Sequence, residues 1–150
     1  MKVLYAIQGT GNGHISRANE IIPILERRVN LDVLVSGKNS SLKLNHAIKY
    51  NFKGISFEFG KKGGIDFWNT LVNINLIQFV RDLKSLKVKD YDLIISDFEP
   101  ISAWACKFYG KECIGLSNQY AMLCPETAKH KNYNFLCALF LKYFFETKSC

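Results

Sequence analysis

Met1-Lys2-Val3-Leu4-Tyr5-Ala6-Ile7-Gln8-Gly9-Thr10-Gly11-Asn12-Gly13-His14 is the stretch that decides the fold. Residues 3–7 form a short apolar run stopped by glycine, the pattern of a strand covered on both faces of a parallel sheet. Glycines at 9, 11 and 13 permit positive φ angles and close approach of backbone to a ligand. Beyond them, Ile15, Ala18, Ile21, Ile22 and Leu25 recur at helical spacing, with Ser16, Arg17, Asn19, Glu20 and Glu26 opposite. Pro23 lies inside this helix and predicts a kink. Strand, glycine turn and helix make the first half of a βαβ unit.

The rest of the chain repeats that alternation. Residues 31–35 read as a second strand ended by Ser36-Gly37, 41–47 as a short helix, and 55–59 as a strand with one wet face. Gly60-Lys61-Lys62-Gly63-Gly64 reads as a mobile loop. A long helix is expected over 66–86, capped by Asp66, with Leu71, Ile74, Ile77, Phe79, Val80 and Leu83 as its apolar face. Residues 93–95 read as a buried strand leading to Ser96-Asp97. Pro100 suits the first turn of a helix through Tyr109, and Gly110 suits its end. Residues 113–116 are a further strand. The expected architecture is α/β: one Rossmann-like domain over 1–150, an open, mostly parallel sheet with helices on both faces.

Composition narrows the function classes. The chain has 150 residues and 48% apolar side chains, enough for a core without metal or disulfides. The net charge of +7 is spread along the chain. It fits a solvated surface, or attraction to a phosphorylated ligand or an acidic membrane face. No helix-turn-helix, zinc-finger or RNA-binding signature accompanies it, so no nucleic-acid partner is expected. The five cysteines, an odd number with no CxxC pair, point to a reduced, cytoplasmic protein without a bound metal. No run reaches the roughly 20 apolar residues of a transmembrane helix. Residues 134–145 are apolar nearly all round. They are expected to be buried against the sheet, against another domain, or at a membrane surface.

In an open parallel sheet, ligands bind beyond the carboxyl ends of the strands. Three segments converge there: Gly9, Thr10, Gly11, Asn12 and Gly13 with His14, then Asp97, then Asn118 and Gln119. Helix-start N–H groups behind the glycine loop suit a phosphate or a developing negative charge. A tight turn without ligand is the alternative. His14 is the candidate general base, and Asp97 the carboxylate that would fix its tautomer. Alternatively, His14 is a loop residue and Asp97 caps the helix that starts at Pro100. Asn118 and Gln119 offer amides to sugar or head-group hydroxyls. Arg17, one turn along, faces either a phosphate or solvent. The GxGxG spacing also leaves open a dinucleotide-binding oxidoreductase domain, although Ser36-Gly37 stands where an NAD enzyme places its acidic ribose ligand.

The opening through Gly13-His14, with Pro23 two turns into the helix, resembles GT-B nucleotide-sugar glycosyltransferases. These include the lipid-linked N-acetylglucosaminyltransferases of peptidoglycan synthesis and the UDP-glycosyltransferase group. Ile94-Ile95-Ser96-Asp97-Phe98 resembles the strand and aspartate that support the histidine base in many UDP-glycosyltransferases. The resemblance covers roughly residues 1–125. It implies an acceptor-binding N-terminal half that transfers a hexose to a hydroxyl, with a nucleotide sugar as co-substrate and no other cofactor. The donor would sit on a C-terminal half absent from this chain or on a separate subunit, without which the chain is expected to be inactive. The acceptor could then be lipid-linked and the protein peripheral on the inner face of the membrane. A non-catalytic acceptor-binding subunit of a split enzyme is a further alternative.

Overall fold

The computed structural model describes residues 1–37, 40–55, 75–117 and 142–143. Five strands form one parallel sheet: β1 (Lys2–Gln8), β2 (Asn30–Ser36), β3 (Tyr50–Phe52), β4 (Leu93–Asp97) and β5 (Ile114–Gly115), in the order β3-β2-β1-β4-β5. Among the described residues, the α-helices α1 (Asn12–Glu26), α2 (Leu76–Ser85) and α3 (Pro100–Tyr109) accompany it. The fold is the doubly wound α/β arrangement expected from the sequence.

The apolar run at residues 3–7 is continuous because β1 lies at the centre of the sheet with both faces covered. Tyr5 and Ile7 pack with Val33 and Val35 against Ile15, Ala18 and Ile22 of α1. Leu4 and Ala6 pack on the opposite face, where Leu34 and Ile94 meet Phe79 and Leu83 of α2 and Ile101 and Ala105 of α3. Strand period two and helix period 3.6 thus both point into cores, one on each side. Cys106 and Cys113 are free and buried, as core cysteines are.

The register runs Ala6↔Leu34 on one side of β1 and Ala6↔Ser96 on the other. Chain progression reverses between β1 and β4, so a crevice opens at their carboxyl ends. The loop after β1 and the turn after β4 both empty into it.

Several element boundaries differ from expectation. No helix forms over 41–47. Asn12 and Asn19 of α1 instead take the backbone N–H groups of Ser41 and Asn45 at 3.0 and 2.9 Å. Ile55 is not in a strand, and the rest of the strand expected over 55–59 lies outside the described residues; Tyr50–Phe52, not expected as a strand, pairs with β2. Residues 66–74 of the helix expected over 66–86, with Asp66, Leu71 and Ile74, lie outside the described residues; α2 starts at Leu76 after an extended Asn75 (φ −81°, ψ 91°), whose side chain accepts from Gln78 N–H and caps it. Leu76, Ile77 and Val80 of α2 are exposed; the buried face is Phe79, Asp82 and Leu83. The helix through Pro23 is continuous. The loop at 60–64 and the apolar tail, apart from exposed Lys142 and Tyr143, lie outside the described residues. Among the described residues no helix is long and apolar enough to cross a membrane.

Candidate functional site

β4 ends on Asp97, whose side chain is fully buried at the crevice. A buried carboxylate must be paired and hydrogen-bonded to persist. Four contacts do this. His14 Nδ1 lies 2.7 Å from Oδ1, Arg17 Nη2 donates to Oδ1 at 2.5 Å, Arg17 Nε donates to Oδ2 at 2.9 Å, and the Tyr5 hydroxyl donates to Oδ2 at 3.2 Å. His14 and Arg17 are one turn apart on α1, so both reach the same carboxylate. Tyr5 reaches it because Tyr5, Ile7 and Asp97 point to the same face of the sheet in the β1–β4 register.

This geometry fixes the imidazole. Two acceptors do not sit 2.7 Å apart, so Nδ1 carries its hydrogen and donates to Asp97. The nearby Arg17 Nη2, 3.1 Å from Nδ1, is then a neighbouring donor and not a bonded one. In the neutral form of that ring, Nε2 carries the lone pair. Phe98 stacks parallel to the imidazole at 5.9 Å and 6°. It adopts φ 55°, rare for a bulky residue and the kind of strain that clusters at functional sites.

Two neighbours of Asp97 are shifted upward from their ordinary values. The hydrogen bond to Asp97 holds the Arg17 guanidinium above its ordinary value, against partial burial. Burial, and next the charge of Asp97, pushes the Tyr5 phenol upward. Both remain protonated donors.

The cap of α3 is Glu99, not Asp97. Its carboxylate accepts from Ile101 N–H at 2.9 Å and Ser102 N–H at 2.6 Å. It also accepts from the Ser36 hydroxyl at 2.5 Å, across the end of β1, which lies between β2 and β4. Burial pushes the Glu99 carboxyl upward, and these three donors oppose it. Ser36 O in turn accepts from Gly9 N–H. Glu99 and Ser36 therefore tie the carboxylate turn to the glycine loop. Neither Tyr5, Ser36, Phe98 nor Glu99 stood out in the sequence. The one available signal was Pro100, which suits the first helical position and so places Glu99 at the N-cap.

The glycine-loop residues have distinct tasks. Gly11 alone of the three has positive φ, 87°, and precedes α1 without a side-chain cap. Gly9 is glycine because a Cβ would lie 3.0–3.1 Å from Val35 and the carbonyls of Ser36 and Gly37. A Cβ on Gly13 would meet nothing within 4 Å, so the space before it is open. Thr10 is buried, its hydroxyl accepting from Gln8 Nε2 at 3.0 Å. Asn12 is engaged with residues 40–42. Arg17, expected to face phosphate or solvent, is instead turned onto Asp97. Asn118 and Gln119 lie outside the described residues. Among the described residues no group of three His, Cys, Asp or Glu side chains converges to hold a metal.

The site therefore presents an oriented imidazole whose Nε2 has no hydrogen-bond partner among the described residues, a buried carboxylate behind it, and the open start of a helix beside it. No curated protein and no solved structure matches the chain. A family model described as Glycosyl transferase family 1 matches residues 1–142. The chain belongs to that glycosyltransferase family, and its parallel α/β sheet is the fold of a GT-B N-terminal domain.

Proposed function

We propose that this chain is the acceptor-binding half of an inverting, GT-B-type hexosyltransferase, with His14 as general base and a nucleotide sugar as donor. The observation that carries the reading is the 2.7 Å contact from His14 Nδ1 to buried Asp97 at the point where strand order reverses. Nε2 takes the proton of an acceptor hydroxyl, and the oxygen attacks the anomeric carbon. The bond to the nucleotide diphosphate breaks, with its electron pair on the departing phosphate oxygen. Asp97 holds the ring by accepting from Nδ1–H throughout. The open helix start at Gly11–Gly13 suits the charge on the departing phosphate. The donor is held by a second domain or subunit, and a lipid-linked acceptor would bring the protein to a membrane surface.

The test is His14→Ala, assayed with the donor-binding half present. Turnover should fall about 10²–10⁴-fold, the usual contribution of a general base. Retention of turnover within a few-fold of the parent would remove His14 from the mechanism. Thermal unfolding with UDP-sugars, NAD and NADP separates the competing ligand class: stabilisation by a nicotinamide cofactor alone would favour an oxidoreductase.

A further inference from the structure

Phe98 stands between two residues whose positions are set from elsewhere. Asp97 ends β4 opposite Ile7 of β1 and bonds to side chains of α1. Glu99 caps α3, which packs on the other face of the sheet. Ser96 closes the turn between them: its hydroxyl accepts from Glu99 N–H at 3.2 Å and donates to Glu99 O at 3.0 Å. One residue is left to carry the chain across, and it does so at φ 55°. Glycine takes this left-handed conformation without steric cost, and phenylalanine does not. Strain of this kind persists where the surroundings over-determine it.

The ring supplies a reason for phenylalanine. Phe98 is 3% exposed and belongs to the core cluster that contains Leu4, Ala6, Ile94 and Ile101. The same ring lies parallel to the His14 imidazole, at 5.9 Å and 6°. It therefore backs the imidazole with the packed core. The 2.7 Å bond from Nδ1 to Asp97 fixes one point of the imidazole. It does not fix the plane, because the outer torsion of a histidine has a broad minimum. Arg17 Nη2, 3.1 Å from Nδ1, faces another donor and adds no bond that would. A parallel aromatic face does: tilting about the line from Nδ1 to Asp97 brings the imidazole against a ring that is itself held. The direction of Nε2 is then set by Asp97 and Phe98 together.

We propose that Phe98 is a positioning residue: its ring fixes the plane of the His14 imidazole and so aims Nε2 at the acceptor hydroxyl. The proposal rests on the general-base reading above.

The test compares Phe98→Leu, Phe98→Gly and Phe98→Tyr in the full chain. Turnover is assayed with the donor-binding half present, and the order of the His14 ring is read by NMR relaxation of its labelled C–H groups. The first change keeps apolar bulk without a flat face, the second also relieves the turn, and the third keeps the ring. Phe98→Leu and Phe98→Gly should lower kcat about 10–100-fold, the scale of a reacting group displaced by an ångström, with KM little changed and the His14 ring more mobile. Phe98→Tyr should keep both kcat and ring order. Methyl signals of Leu4 and Ile94 report that each variant is folded; if one is not, Phe98→Met replaces a ringless variant and Phe98→Trp the aromatic one. Unchanged kcat or unchanged ring order in folded Phe98→Leu would overturn the proposal, as would full turnover in Phe98→Gly, since relief of the turn would then suffice. An aromatic variant as slow as Phe98→Leu would overturn it too. The base assignment fails separately: His14→Ala would then retain turnover while ring order still depended on Phe98. An inactive His14→Ala beside an unaffected Phe98→Leu would sink the positioning role alone.

Discussion

At the scale of single residues, Asp97 is the centre of the candidate site. It is fully buried, and His14, Arg17 and Tyr5 all converge on it. The Arg17 pairing matters chemically: a cation already neutralises much of the carboxylate, so Asp97 serves chiefly to orient the imidazole. Asp97→Asn keeps the size but offers only one acceptor oxygen to four donor groups from three residues. Turnover should drop about 10²–10⁴-fold through loss of the Nδ1–H orientation, read as kcat with KM little changed. Tyr5→Phe removes only the 3.2 Å hydroxyl contact. It should cost about 0.5–1.5 kcal/mol in urea unfolding and less than tenfold in kcat. A loss in Tyr5→Phe as large as that in Asp97→Asn would mean that the phenol takes part in proton transfer.

At the scale of elements, the site depends on how β1, β2 and β4 end together. Glu99 caps α3 and accepts from Ser36 over the end of β1, while Ser36 also receives Gly9 N–H. Phe98, held at φ 55° between Asp97 and Glu99, is fixed by this frame and lies against His14. Glu99→Ala removes a helix cap and leaves the buried Ser36 hydroxyl only the 3.5 Å contact to Gln8 Oε1. The expected loss is about 2–4 kcal/mol, measured by denaturant midpoint. Ser36→Ala in the Glu99→Ala background should then cost much less than Ser36→Ala alone, since the two groups share one bond. Additive losses would show that the cap, not the tie between strands, is what Glu99 supplies.

At the scale of the whole molecule, the two ends of the sheet are built differently. The amino ends are stapled by Asp32, which accepts from Lys49 at 2.6 Å and from the Tyr91 hydroxyl at 2.8 Å. Burial pushes the Asp32 carboxyl up, but these donors and the nearby Lys2 outweigh it, and its folded pKa lies below the ordinary value. A depressed carboxylate contributes stability that is complete above its unfolded pKa, about 3.9, and is lost as the pH falls through the lower folded value. Asp32→Asn should therefore destabilise the chain near neutrality and flatten the acid limb of melting temperature against pH. Glu99 has the opposite sign. Its raised folded pKa gives stability that is full below about pH 4.3 and lost as the pH rises through the folded value. Glu99→Gln should remove that decline, and an unchanged profile would show that its three donors keep the carboxylate charged.

The sequence by itself determined the fold class, because apolar runs of five residues alternating with helical faces admit few arrangements other than a covered parallel sheet. It also brought His14 and Asp97 to one edge: a residue after β1 and a residue ending β4 must share the carboxyl side of such a sheet. Local capping chemistry made α3 legible from Pro100 to Gly110. What only the tertiary structure decided was how each polar group is used. Whether Asp97 caps α3 or faces His14 depends on Glu99 winning the helix N-terminus. Whether Arg17 faces solvent or Asp97 depends on the start of α1 lying beside the carboxyl end of β4. Residues 41–47 lack helical structure because Asn12 and Asn19 bind their backbone from another element. Tyr5 looked like one more apolar strand residue, since only the β1–β4 register reveals where its hydroxyl ends. Periodicity reports which face is buried; hydrogen-bond partners far apart in the chain leave no periodic trace.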